Sequence, residues 1–558
     1  MSLASERLPQ IYIPKSYDLY LHIVEGTCPF DASVAITFQK TPNIDDDKIY
    51  LSIDKTLKIK KVSQNNINLR FQVSYPILII YQSKVQEFDF TTYPITIEYS
   101  ILPNRNQRFG FYMNNGNYLT DFEPCGARQL LPCYDEPFVR SIFSVKLLIP
   151  SQLTALSNMP IKSINKLDNE NEVTFFPTPA MSSYLLCICV GHFASIYGST
   201  KGGIFVEYFT SPGREKYLKK YLDVAIFSLD WLESKLHVKY ELPHLQLISL
   251  SGLPPGMENY GLITLPDYTS SNKYFTSKAS VIMHEIVHQW FGDLVCIKYW
   301  DSLWLNEGFA EFIQYLILRD FNKKLDVFKI FAEEEGKTCL DYYDEGVLVE
   351  KESELNLNYL FGHLTYSKGA FVVKMFYDMI GEEKFFYFCE SYLNQYKNKS
   401  VDISDFVSCV NNTLNEDYTS FFDAWLKNFG FPTLIVKEIE YNQKFVALEI
   451  TQTSKSGCIF TLKVPIIYEK DGEVKKMEFV IDKKESHIDL EFDWLMVNDM
   501  FSSLCFVILS KKLLTKLIEI KDKINETNKK FIYGSLNNEY AHDIVDDDMI
   551  EMTEELFK

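Results

Sequence analysis

Several things are scarce in this sequence, and each scarcity excludes something. Basic residues are outnumbered, 56 Lys and Arg against 75 Asp and Glu, for a formal net charge of -19. The chain therefore lacks the basic footprint of sequence-independent nucleic-acid binding, and no nucleic-acid partner is expected. No apolar run approaches the ~20 residues of a membrane span; the longest resemble "SSYLLCICVG" at 182–191, so no membrane partner is expected. The start, "MSLASERLPQIYIPKSYDLYL", has no basic segment followed by an apolar one, so no secretory leader is read. The eleven cysteines are odd in number and form no C-x-x-C pair, which argues against a zinc ribbon or a dense disulfide framework. Cys187 and Cys189, in an apolar strand-like run, read as buried thiols. Together these absences point to a cytoplasmic chain. Histidine is scarce too, nine in 558 residues, and that makes the position of each one informative.

What is present reads as a multidomain α+β protein. At 558 residues the chain exceeds one hydrophobic core. The first two hundred residues hold short runs rich in β-branched and aromatic residues, such as "YDLYLHI", "ASVAITFQ", "TTYPITIEY" and "SIFSVKLLI", separated by turn clusters. This predicts an N-terminal antiparallel β domain over 1–207. After Ser211-Pro212-Gly213, Leu218, Leu222, Ala225, Leu229, Leu232 and Leu236 recur at helical spacing. Helical patterns then dominate, predicting a mostly α domain over 208–430, with Gly381 as a helix C-cap. Alternating strands return from Phe431-Pro432 and predict a small β-sandwich over 431–510. A lysine-rich helical stretch, with Leu514, Leu517, Ile518 and Ile524 on one side, and an acidic end form a short helical tail over 511–558.

Within the α region, "MHEIVHQW" (283–290) puts His284 and His288 four residues apart. On a helix such residues share one face, their Cβ atoms about 5–6 Å apart, so two imidazoles can converge on one ion. Glu285 lies about a hundred degrees round the helix from His284 and can stand beside a metal as a base without ligating it. Eighteen residues after His288 comes Glu307, in "WLNEGFAEF". Gly292 and Asp293 mark a helix end between them, and a second helix can return alongside the first. Two histidines and a glutamate would leave a fourth coordination position open, as a catalytic zinc site requires. Glu311, one turn beyond, is either a partner to a ligating histidine or an exposed helical glutamate.

H-E-x-x-H, an eighteen-residue gap and W-L-N-E-G-F-A resemble the signature of the aminopeptidase N and leukotriene hydrolase family of zinc enzymes. "GMENYGLITL" (256–265), "EPCGARQLLPCYDEP" (123–137), "TPAMSSYL" (178–185) and "YSKGA" (366–370) resemble further family segments in the family's order. The resemblance runs from about residue 8 to 510. It implies a thermolysin-like catalytic domain and one zinc ion per chain, held by His284, His288 and Glu307. It implies Glu285 as the general base, and Tyr366 as a hydroxyl donor to the developing oxyanion. Glu258 and Glu123 would hold the substrate's α-ammonium, and the "GMEN" backbone at Gly256, Met257 and Asn259 would line up the peptide. The implied activity is hydrolysis of the N-terminal peptide bond of peptides with a free amino terminus.

The sequence also departs from that pattern. Pro255 precedes Gly256 where the commoner motif has glycine, removing an N–H. Asp121 stands where glutamine is usual, adding negative charge near the amine site. Only about fifty residues follow the second β domain, so a short form lacking most of the family's helical cap is expected. The cleft would then either be more open or be covered by a second subunit, making a homo-oligomer. Two other readings stay open: a zinc oligo- or endopeptidase using the same metal centre, and a non-catalytic scaffold on a peptidase fold.

Overall fold

Alternation of buried and exposed side chains is the clearest feature of the first two hundred residues. Along the strand Phe30–Lys40, Phe30, Ala32, Val34, Ile36 and Phe38 are buried while the residues between them are not, the period of a sheet with one face inward. The computed structural model describes residues 7–26, 28–44, 46–82, 89–270, 274–342, 347–349, 360–537, 545 and 547–558. These fall into two compact units. One is built mainly from the residues up to Ser302, joined by Tyr392–Ile403, and the other mainly from Leu303 onward.

In the first unit a nine-stranded sheet is centred on Tyr12–His22, which pairs antiparallel with Phe30–Lys40 and parallel with Arg140–Pro150. The sheet is thus mixed rather than wholly antiparallel. Residue alternation reports which face is buried but not which way a neighbour runs. A second, four-stranded sheet has the order Ala194–Ser199, Phe205–Thr210, His244–Leu250, Leu262–Pro266, and its last three strands are parallel. Parallel neighbours need a crossover, and helix α1 (Lys219–Leu236) is the crossover between the second and third strands. α1 buries Leu222, Ala225, Leu229, Leu232 and Leu236, the stripe read from spacing. Helix α2 (Phe275–His288) packs on α1 and is buried from Ile282 to its end.

In the second unit helix α3 (Trp304–Phe321) packs against the helix Gly369–Ile380. The crossing is at two glycines: a Cβ on Gly308 would lie 2.8 Å from the carbonyl carbon of Gly369. Gly381 closes the second helix with φ +85°, a backbone that favours glycine. The later strands form a four-stranded sheet, centred on Thr433–Tyr441 and Lys444–Thr453, and a three-stranded sheet centred on Leu462–Lys470. Helices Lys511–Glu519, Glu526–Leu536 and Asp547–Glu554 follow. Phe501 and Phe531 stack with ring centroids 4.1 Å apart, and Gly336 lies so close to both rings that a Cβ there would meet them at 2.8 and 3.1 Å. Beside it, Thr527 donates to Glu333 at 2.8 Å. Among the described residues no helix is long and apolar enough to cross a membrane. The eleven cysteines are free thiols.

Candidate metal centre

α2 turns its last two turns away from solvent even though they carry three ionisable residues. His284, Glu285 and His288 are all buried. Burying such groups costs free energy unless they are partnered, so their neighbours decide what they are for. The Nδ1 of His288 donates to the carbonyl of Phe291 at 3.0 Å. A carbonyl only accepts, so the proton sits on Nδ1 and a neutral His288 presents the lone pair of Nε2. That Nε2 lies 3.0 Å from Nε2 of His284. Two nitrogens each about 2.0–2.1 Å from a tetrahedral ion stand about 3.3 Å apart. The two imidazoles are therefore already close to the bite of a metal, and the carbonyl holding Nδ1 is the outer partner that metal-binding histidines use.

Among the described residues of the first unit, Glu258, Glu285 and His288 place one ligand atom each within 4.8 Å of one another. The set read from spacing, His284, His288 and Glu307, offers two nitrogens and one oxygen, donors that suit zinc. Glu307 sits in the first turn of α3 and is buried. Glu123 and Glu258, both in the first unit, each place a carboxylate oxygen within 4.8 Å of the other.

α2 ends at His288, and Gly292, at φ +134°, turns the chain away. The next residue, Gln289, ties the helix end to the "GMEN" segment. Its Nε2 donates to the Glu258 carbonyl at 2.9 Å, and its Oε1 accepts from the Tyr240 hydroxyl and the Gly261 N–H, each at 3.1 Å. Sequence reasoning passed over Gln289, although it stands directly after the second histidine. Gly256 has a steric reason to be glycine: a Cβ there would lie 1.9 Å from Oε1 of Glu285. Met257 exchanges both backbone hydrogen bonds with Thr264, at 3.0 Å each, at the edge of the four-stranded sheet. Asn259 is buried and its amide reaches the Thr264 hydroxyl at 3.5 Å.

Carboxyl groups crowd around Glu258. Asp121 has its carboxyl pushed up to about 7, first by burial and then by Glu258. The fully buried Asp293 is pushed well above the carboxylate range by burial and by Glu258, with Arg140 opposing. Burial and the neighbouring Glu258 thus favour the protonated form of both carboxyls, so neither adds a full negative charge beside it.

Two further sequence-selected residues lie in the second unit. Tyr366 sits on the π-helical turn Leu364–Lys368, which leads directly into Gly369–Ile380. Glu311, half-buried on α3, accepts from the side chain of Gln314.

Residues 221–425 match the peptidase family M1 domain and residues 13–185 match the peptidase M1 N-terminal domain. The chain is 30% identical over 466 residues to a Sulfurisphaera tokodaii protein named "Probable aminopeptidase 1", covering 78% of this chain and 56% of that protein. It is 27% identical over 502 residues to glutamyl aminopeptidase of Rattus norvegicus, covering 84% and 53%. It is 29% identical over 519 residues to aminopeptidase M1 of Arabidopsis thaliana, covering 87% and 58%. The chain spans little more than half the length of these relatives.

Proposed function

The chain belongs to peptidase family M1, and from that premise we propose that it is a zinc-dependent aminopeptidase that releases residues from the free amino end of peptides. The observation that carries the reading is the pair of imidazoles on α2, Nε2 atoms 3.0 Å apart, with Nδ1 of His288 fixed on a carbonyl. His284, His288 and Glu307 are the proposed ligands of one zinc ion per chain. The N,N,O donor set and the convergence of the two imidazoles support this. When bound, zinc supplies Lewis acidity to a water molecule and to the scissile carbonyl.

The chain's own residues then divide the work. Glu285 takes the proton of the attacking water and returns it to the leaving amine. Tyr366 donates a hydrogen bond to the oxygen that becomes negative as the carbonyl turns tetrahedral. Glu258 and Glu123 hold the α-ammonium, so the first peptide bond is the one presented to the base. The exchange of hydrogen bonds between Met257 and Thr264 supports a substrate added as a further strand beside Gly256 and Met257, with Asn259 bracing the turn. The division of the chain at 207/208, 430/431 and 510/511 belongs to the same reading: an N-terminal β domain, a thermolysin-like catalytic domain, a small β-sandwich and a helical tail. Free thiols throughout support a reducing, cytoplasmic compartment.

The test is a panel of aminoacyl fluorogenic amides, matched with their N-acetylated forms, assayed with and without a chelator. Hydrolysis of the free amines alone, lost with metal and restored by zinc, is the expected result. Equal rates on acetylated substrates would replace the aminopeptidase with an oligo- or endopeptidase. Activity that survives complete metal removal would end the zinc mechanism.

A further inference from the structure

Glu335 is absent from every motif, yet it joins two elements that carry proposed site residues. Its Oε1 accepts at 3.0 Å from the hydroxyl of Tyr315, which it shares with Oε2 of Glu334 at 3.1 Å, and its Oε2 accepts from the hydroxyl of Ser367 at 2.6 Å. Tyr315 lies on α3, two helical turns beyond Glu307, and is buried. Ser367 directly follows Tyr366 and is buried. One carboxylate therefore spans from the helix that carries Glu307 to the turn that carries Tyr366.

The surrounding backbone is built for this span. Glu335 lies in the π-helical turn Ala332–Gly336, and Ser367 in the π-helical turn Leu364–Lys368. Such turns are rare and frequently found at functional sites, because the widened ring re-aims the side chains it carries. Lys368, which follows Ser367, is also buried, and its ammonium donates to the Asn428 carbonyl at 3.0 Å. Both residues that follow Tyr366 are thus pinned, one to Glu335 and one to Asn428. Beneath them the Gly308–Gly369 crossing brings the two helix backbones into contact.

We propose that Glu335 is a positioning residue for the reaction: by bridging Tyr315 and Ser367 it fixes the Tyr366 turn against α3, and so holds the Tyr366 hydroxyl in register with the Glu307 helix. This rests on the aminopeptidase reading above. An oxyanion donor is useful only at the place the negative charge develops, and a displacement of about 1 Å can cost on the order of 10²-fold in rate.

The experiment is a set of double-mutant cycles through Tyr366. Ser367→Ala, Tyr315→Phe, Glu335→Ala and Glu335→Gln are made in the full chain, each alone and on Tyr366→Phe. For each, kcat and KM on one aminoacyl amide are measured together with zinc content. Ser367→Ala and Tyr315→Phe are conservative enough to leave the fold intact should Glu335→Ala not fold. In the parent background, Ser367→Ala, Tyr315→Phe and Glu335→Ala are each expected to lower kcat by about 10-fold with KM and zinc content unchanged, within the range expected for a misplaced donor. Glu335→Gln can still meet both hydroxyls and is expected to recover most of the rate lost in Glu335→Ala. On Tyr366→Phe the same changes are expected to cost nothing further. Unchanged kcat in the parent background, or losses that multiply with Tyr366→Phe, would overturn the proposal. If Tyr366→Phe alone kept full kcat, Tyr366 would leave the proposed reaction and this inference with it. The zinc and amine-clamp parts of the reading would still stand on the acetylation and chelator tests.

Discussion

The surroundings of Glu285 are what support its proposed role as the base. It is buried, its carboxylate lies within 4.8 Å of ligand atoms of His288 and Glu258, and it is packed against the bare backbone of Gly256. Replacing it with glutamine keeps the shape and removes the proposed base. Glu285→Gln is expected to lower kcat by about 10²–10⁴-fold while zinc content, read by metal analysis, stays at one per chain. Asp121 offers a second residue-scale test. Its carboxyl is held up to about 7, mainly by burial and next by Glu258, so the folded chain binds that proton more tightly than the unfolded chain does. Its ionisation therefore costs stability progressively as pH rises from about 4 to about 7, and by a constant amount above that. Asp121→Asn is expected to melt at the same temperature as the parent near pH 4, and increasingly above it up to pH 7. Calorimetry across that range checks the sign, and a gap that widens toward acid would refute the assignment.

Among the elements, α3 packs its backbone against a glycine, and α2 packs the Glu285 side chain against one. At Gly308, alanine would gain about 1 kcal/mol of helix propensity. The new Cβ would also lie 2.8 Å from the Gly369 carbonyl carbon, against backbone that cannot swing aside. Overpacking of that kind costs about 1–3 kcal/mol, so Gly308→Ala is expected to be a net loss, visible as a lower denaturant midpoint. At Gly256 the obstacle is Glu285 itself. Gly256→Ala is expected to leave the melting temperature nearly unchanged and to lower kcat by about 10²-fold, since the proposed base must move. Much of this scale was legible beforehand. The leucine stripe of α1, the histidine pair of α2 and the Gly381 cap follow directly from helical period and backbone chirality. The parallel run of Tyr12–His22 beside Arg140–Pro150 was not, because strand direction is decided by connections that leave no periodic mark. The strands Glu485–Phe492 and Trp494–Val497 were passed over as well; the first buries only two of its eight residues. Gln289 and Glu335 escaped notice because a lone polar residue on a helix looks solvated until its partners, far along the chain, come into view.

For the whole molecule, metal binding and folding should be linked. A ligand that binds only the folded state stabilises it by about 2.7 kcal/mol at a hundred times its Kd. Chelation is accordingly expected to lower the melting temperature and added zinc to restore it, with His288→Phe abolishing the response. A melting temperature indifferent to chelator in the parent chain would separate α2 from any metal. The far end of the chain carries a different consequence. Glu333 and Gly336 flank Glu335, and they are held respectively by Thr527 and by the stacked rings of Phe501 and Phe531. A proteolytic nick near residue 525 would slacken that anchorage. If Glu335 positions Tyr366 as proposed, the clipped chain would take up zinc as before while losing turnover, so the integrity of the tail would set the pace.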